Sequence, residues 1–372
     1  MSNTASAVFI GTEASVFVTR TRDTLIERGI RISVIDPHRV NNQIRGNSII
    51  HKLWRMFERY RNVRKLIRAS PKDQTAVIHY LSLDTFWLIP MLSRHFYRVV
   101  GLAYGSDVLR RKKSFDFLLR VGFRRIDVIA ATNDNVLNAL LSDFPFLTKC
   151  SPKIIRFGLS VFDEILKIDE ITPSKAKSML GFDREKDLVC LGYSASPGQR
   201  QMDLLEFFET HLDQFENLTF VVPIQYGSNS ISSAIKKKCE LINLKTGRAQ
   251  FFALEEFHGP EKSALMRRAT DVLINHSVSD AFSGTVQEVV YAGNLVLSGD
   301  HLPYNKMPGF GSAIRPFRSL ADMASNLRSD ALMVWRIKAA GSSIETREHL
   351  HAISSWDAVF PDWQRLVEIK QS

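Results

Sequence analysis

The sequence predicts an α/β chain of 372 residues folded as two successive halves, each built on a parallel, doubly wound sheet. Two observations carry that prediction. Short apolar runs alternate with helical-period segments from one end of the chain to the other. The alternation pauses once, over residues 162–187, and leaves a set of similar size on either side, each long enough to bury its own core.

Val8-Phe9-Ile10 is the first strand, and its following helix ends near Arg28-Gly29. Residues 32–36 (Ile-Ser-Val-Ile-Asp) make the second strand and residues 76–79 (Ala-Val-Ile-His) the third, which leads into a helix over residues 86–94. Residues 98–103, 127–131 and 153–156 are three more strands. Polar, helix-forming residues 162–187 contain no core strand and are expected to link the halves. The second set of strands falls at residues 188–192, 218–222, 249–252, 272–274 and 295–297. Residues 356–366 form an apolar-aromatic helix at the end.

Hydrophobic residues at 45% and charged residues at 24% describe a soluble globular protein. The longest apolar run, residues 86–92, is far too short to cross a bilayer. Ala7-Val8-Phe9-Ile10-Gly11 lacks the basic flank of a signal peptide and reads as a strand. Cys150, Cys190 and Cys239 are isolated, without zinc-site spacing, which fits a reducing cytoplasm and no disulfide frame. The net charge of +10 calls for an anionic partner.

Much of that charge is concentrated in residues 52–68, where Lys52, Arg55, Arg59, Arg61, Arg64, Lys65 and Arg68 stand against the single acid Glu58. At helical period Ile49, Leu53, Met56, Phe57, Tyr60, Val63 and Ile67 share one face, with Asn47 or Ser48 as a cap and Ser70-Pro71 as the stop. A basic amphipathic helix carrying Trp54 and Phe57 suits an anionic membrane interface; it also suits an ordinary surface helix with its stripe on the core. A second basic cluster follows at Arg110-Arg111-Lys112-Lys113, Arg120, Arg124 and Arg125.

The chemistry centres on Asp280 and Glu288, two acids with seven residues between them. Ser283-Gly284-Thr285 has the small residues of a helix start, Val286 to Tyr291 continues at helical period, and Gly293 ends the helix before the next strand. Unpaired amides and the positive helix end then lie beside one acid, ready for a phosphate. The second acid can accept hydrogen bonds from paired sugar hydroxyls. A nucleotide-diphosphate-sugar presents both groups.

The same stretch resembles the Glu-x7-Glu signature of the retaining GT-B glycosyltransferases of family 4, with Asp280 for the first Glu and no Pro before Val296. Ala76-Val77-Ile78-His79, Tyr104-Gly105-Ser106-Asp107, Ile154 to Phe162 and Gly192 to Arg200 are similar, in the same order, to further family segments; Tyr193 stands where the family has an Arg. Val222-Pro223-Ile224-Gln225-Tyr226-Gly227-Ser228-Asn229 resembles instead the TDP-fucosamine (Fuc4NAc) transferases that act on lipid-linked intermediates. The two affinities leave open whether the anomeric configuration is retained or inverted.

The resemblance implies a GT-B fold of two Rossmann-like domains facing across a cleft. Residues 1–165 would be the acceptor-side domain, 166–350 the donor domain and 351–372 a helix crossing back to the first. It further implies a glycosyltransferase in cell-surface polysaccharide synthesis, acting on a glycan or polyprenyl-linked acceptor at the inner face of the cytoplasmic membrane. No cofactor is expected beyond the donor substrate, and no metal, since no Asp-x-Asp triplet occurs. Glu288 would bind the donor ribose, Ser283, Gly284 and Thr285 the phosphate, and Arg200 would neutralise it. Tyr304 belongs to the expected sugar-side loop. Asp280 would act at the reacting carbon, with Asp107 as a second catalytic candidate. His79 and Tyr104 are candidates for sugar or acceptor, although a buried core histidine also accounts for His79. No nucleic-acid partner is expected, because the basic residues cluster with aromatics rather than along the cleft. A nucleic-acid-modifying GT-B protein and a non-catalytic nucleotide- or glycan-binding subunit remain alternatives.

Overall fold

The computed structural model describes residues 6–13, 15–39, 49–256, 258–280, 282–307 and 309–368, with only the backbone of residues 49–53, 55, 56, 84, 305 and 306. Two compact units emerge, Met1–Gly158 with Trp356–Ser372, and Leu159–Ser355. The sequence had suggested boundaries at 165/166 and 350/351.

The first unit runs β1 (Ser6–Ile10), α1 (Val16–Glu27), β2 (Arg31–Ile35), α2 (Ile49–Ala69), β3 (Thr75–His79), α3 (Leu83–Phe86), α4 (Ile89–His95), β4 (Arg98–Ala103), α5 (Ser106–Leu109), α6 (Asp116–Phe123), β5 (Val128–Ala131), α7 (Asp134–Asp143) and β6 (Lys153–Ile154). Its strands form one parallel sheet in the order β2-β1-β3-β4-β5-β6. Strands buried on both faces explain the near-continuous apolar runs of β1 and β3. In α1 the buried Val18, Thr21 and Leu25 recur at helical spacing. The C-terminal helix Trp356–Val367 packs within this unit. Its Trp363 is fully buried and donates to the Arg156 carbonyl at 2.8 Å. Gly158 lets the chain pass Trp356, since a Cβ there would fall 2.2 Å from the indole.

The stripe expected on α2 is divided. Val63 and Ile67 are buried, but Phe57 and Tyr60 face solvent, as does Trp54, which is 54% exposed. Side chains of Ile49, Lys52, Leu53, Arg55 and Met56, and the capping candidates Asn47 and Ser48, lie outside the described residues.

The second unit runs α8 (Val161–Lys167), α9 (Pro173–Met179), β7 (Asp187–Leu191), α10 (Gln201–Thr210), β8 (Leu218–Pro223), α11 (Asn229–Thr246), β9 (Phe251–Leu254), α12 (Pro260–Ala269), β10 (Val272–Asn275), α13 (Gly284–Tyr291), β11 (Leu295–Gly299), β12 (Ile314–Phe317), α14 (Leu320–Asn326), α15 (Ser329–Ala340) and α16 (Ser343–Ser354). The parallel order is β12-β11-β10-β7-β8-β9. β12 is not expected from the sequence, where Pro316 argues against a strand; its place at the sheet edge is where a ladder tolerates proline. The stretch expected as a linker is instead α8 and α9, packed into this unit's core. Phe162 is fully buried and stacks on Tyr291 with centroids 3.9 Å apart. Polar surface residues of these helices had masked the apolar positions Phe162, Ile165 and Ala176.

Candidate functional site

In the second sheet the chain winds outward from β7 through β8 to β9, then returns to β10 on the other side of β7 and winds outward again. The strand order reverses between β7 and β10, and in such sheets the crevice beyond the carboxyl ends at the reversal takes ligands. Two loops leave that point, residues 192–200 and residues 276–283, and hydrogen bonds join them. The Val278 amide donates to the Gly198 carbonyl at 2.8 Å, and Gln199 Nε2 to Ser277 Oγ at 2.9 Å. A third loop, after β8, is fastened to the first: Ala195 pairs with Gly227, whose φ of +129° and close passage over the Ala195 carbonyl exclude a side chain.

Asp280 sits in the second loop. Its Oδ2 accepts from Tyr193 OH at 2.9 Å and from Asn275 Nδ2 at 2.9 Å. Burial and then the negative charge of Asp280 push the Tyr193 and Tyr304 phenols well above their usual range. Tyr304, expected to face the donor, is buried beneath the turn, and its hydroxyl accepts the Ser283 amide at 2.6 Å. It therefore props the turn, and Ser283 N–H is already engaged. Beyond it the first amides of α13, from Gly284 and Thr285, have no acceptor within their own helix.

Glu288 lies in the second turn of α13 with its side chain 9% exposed, and its Oε2 accepts from Arg267 Nε at 2.9 Å. Arg267, on α12, was not anticipated; nothing in its surroundings along the chain marks it. Its Nη2 also reaches Thr285 Oγ1 at 3.4 Å. Burial is the main cause of the raised phenol pKa of Tyr226; the charges of Glu288 and Asp280 raise it further and that of Arg267 lowers it. Arg200 is exposed, in a left-handed conformation at the start of α10. Burial lowers the pKa of His276, and the positive charge of Arg200 lowers it further.

In the first unit Asp107 is buried and accepts backbone amides from two loops: Leu81 at 2.8 Å, Gly105 at 2.8 Å and Tyr104 at 3.0 Å. Burial pushes its pKa up against the pull of these amides. The expected catalytic carboxylate is thus a brace between the loops after β3 and β4. His79 is buried against Phe9 and Trp363, and its Nδ1 lies 2.6 Å from Tyr104 OH. Burial pushes His79 down to about 3, so the ring is neutral at pH 7 and serves the core.

No family model matches the sequence, and no curated protein does. Solved structures do match. Sucrose-phosphate synthase from Thermosynechococcus elongatus aligns at 13% identity over 97% of this chain and 98% of that one, with a TM-score of 0.71. UDP-forming α,α-trehalose-phosphate synthase from Burkholderia xenovorans aligns at 12% identity over 99% and 100%, with a TM-score of 0.65. Anabaena HepE, in complex with UDP and glucose, gives 12% identity over 97% and 98%, with a TM-score of 0.66. The chain has the GT-B fold. In GT-B terms the second unit is the Rossmann-like half whose β7/β10 reversal carries Asp280 and Glu288, and the first is the half that carries the basic helix α2.

Proposed function

We propose that this chain is a metal-independent glycosyltransferase that moves a sugar from a nucleotide-diphosphate-sugar to a glycan or polyprenyl-linked acceptor in cell-surface polysaccharide synthesis. The observation that carries the reading is the placement of Asp280 and Glu288 before and within α13 at the strand-order reversal, each held by a side chain from another element. The UDP named with the similar HepE structure, and the UDP-forming synthase, support a UDP-sugar as donor.

Transfer requires the leaving diphosphate's charge to be stabilised where it develops. The amides opening α13 and the Arg200 guanidinium supply fixed positive ends for this without a metal. Glu288 takes the ribose hydroxyls. Asp280, oriented by Tyr193 and Asn275, takes the donor sugar near the reacting carbon. Asp107, Tyr104, His79 and Tyr304 hold loops and core and are left out of the chemistry.

For localisation we propose the inner face of the cytoplasmic membrane, through α2. Trp54, Phe57 and Tyr60 are exposed on the helix that carries Arg61, Arg64, Lys65 and Arg68. Among the described residues no helix is long and apolar enough to cross a membrane.

One observation favours a second reading, a non-catalytic nucleotide-binding subunit: a phenol, not a cation, stands at position 193 and engages Asp280. The test is a thermal-shift screen with UDP, TDP, GDP, ADP and CMP, followed by donor turnover in excess EDTA. Nucleotide stabilisation with turnover in EDTA is expected. Stabilisation without any donor hydrolysis or transfer selects the second reading, and activity restored only by manganese or magnesium overturns metal independence.

A further inference from the structure

We propose that Arg267 is a positioning residue that locks the Glu288 carboxylate to receive both hydroxyls of a ribose, and that this pair makes the site select ribonucleotide over 2′-deoxyribonucleotide donors. The inference rests on the donor-site reading of the second unit and narrows it to ribonucleoside-diphosphate-sugars, away from TDP-sugars.

Two adjacent arginines end α12 and have different employment. Arg268 is committed to backbone carbonyls, with Nε on Ile171, Nη1 on Ala292 and Nη2 on Asp169. Arg267 turns the other way, onto α13, where Nε meets Glu288 Oε2 at 2.9 Å and Nη2 meets Thr285 Oγ1 at 3.4 Å. Its backbone is anchored too, because its carbonyl accepts Asn294 Nδ2 at 2.8 Å. The two side chains are 15% and 9% exposed, so the pair is largely out of water. A carboxylate so placed costs free energy unless paired, and the guanidinium both offsets that cost and fixes its rotation.

The orientation leaves Oε1 outside the ion pair. Gly284 lies on that side: a Cβ built there would stand 3.9 Å from Glu288 Oε1 and 3.0 Å from Leu159 Cδ2. With no Cβ at this position, the space beside Oε1 and Leu159 stays clear of a side chain. An ionised carboxylate has about four acceptor positions, and Nε fills one of them. Two vicinal hydroxyls can occupy Oε1 and the remaining side of Oε2 together. A 2′-deoxyribose offers one donor fewer, leaving an acceptor unsatisfied in a half-dry site. Sites built to bind a hydroxyl discriminate against the analogue that lacks it for this reason.

The experiment is isothermal titration of the full chain with UDP and with 2′-deoxy-UDP, for the wild type, Arg267→Met and Arg267→Lys. The wild type is expected to bind UDP roughly 10- to 100-fold tighter than 2′-deoxy-UDP, as one charge-assisted hydrogen bond is worth. Arg267→Met is expected to bring that ratio to near one, mainly by weakening UDP, while 2′-deoxy-UDP affinity stays within about threefold. Arg267→Lys, which keeps the charge, recovers part of the ratio and stands in if Arg267→Met does not fold. Equal affinity of the wild type for both ligands overturns the proposal, and so does an equal loss of both in the variants, which describes a merely structural arginine. Absence of binding to UDP and to every nucleotide of the screen overturns the donor site itself, whereas UDP binding without discrimination overturns only the role given to Arg267 and Glu288.

Discussion

Tyr193 donates its phenol proton to Asp280 Oδ2 at 2.9 Å, across 87 positions of sequence. The family segment that the Gly192 to Arg200 loop resembles has an arginine at this position. A phenol cannot neutralise a diphosphate, but it can hold a carboxylate at one orientation, and Asn275 does the same from β10. Asp280 Oδ2 is thereby aimed by a phenol and an amide together. If it acts on the donor sugar in the transition state, Asp280→Asn lowers turnover on the order of 100-fold with UDP affinity nearly unchanged. Tyr193→Phe, removing one of its orienting bonds, lowers turnover about tenfold. Steady-state kinetics beside UDP titration separates the two effects. A matched loss of turnover and affinity in Asp280→Asn would move that residue to a binding or folding role.

Gly227 tests the fastening of the nucleotide-side loops. Its φ of +129° is strained for any side chain, and a Cβ would lie 2.1 Å from the Ala195 carbonyl oxygen. Gly227→Ala is expected to cost about 2–3 kcal/mol of stability and to weaken nucleotide binding as the loops part. Gly247 is the control: its φ is +64°, and nothing stands within 4 Å of a Cβ there, so Gly247→Ala costs about 1 kcal/mol. Urea titrations of both variants give the comparison, and equal costs would show that the Ala195 contact can relax.

His79 predicts an acid weakness of the first unit. Burial holds its pKa at about 3 in the folded chain, against an ordinary 6.5 when unfolded. The unfolded state therefore binds more protons between these values, and stability falls as pH drops from about 6.5 towards 3. At pH 5 the loss is roughly 2 kcal/mol, at about 1.4 kcal/mol per pH unit. His79→Gln removes the titration, so its denaturation midpoint is expected to change less than that of the wild type between pH 7 and pH 5. Identical pH dependence would mean that the ring is hydrated.

Helix α2 predicts salt-sensitive membrane binding. Replacing Arg61, Arg64 and Lys65 by Gln removes three exposed charges, each contributing roughly 1 kcal/mol near an anionic surface. The triple variant is expected to stay in the supernatant when the wild type sediments with phosphatidylglycerol vesicles, and Trp54→Ala with Phe57→Ala to weaken binding even at low salt. Nucleotide affinity, a property assigned to the other unit, is expected to remain. A wild type that ignores anionic vesicles at low salt leaves α2 an ordinary surface helix.

The α/β alternation and two parallel sheets were legible in the sequence because each strand is a local apolar run and each helix a local period. The acid pair was legible for the same reason: the turn at Ser283-Gly284-Thr285 and the helix to Tyr291 follow from neighbours along the chain. Only the tertiary structure decided which groups hold those acids. Arg267 reaches Glu288 from another helix, and Tyr193 reaches Asp280 from another strand's loop. The same limit hid β12, where an edge position makes Pro316 acceptable, and it assigned Phe162 to the second core instead of to a linker. It also set the Asp107 carboxylate against backbone amides of two loops. Periodicity records which residues avoid water along one element; what a buried charge or ring is set against depends on contacts between elements that are distant in sequence, and those exist only once the sheets have assembled.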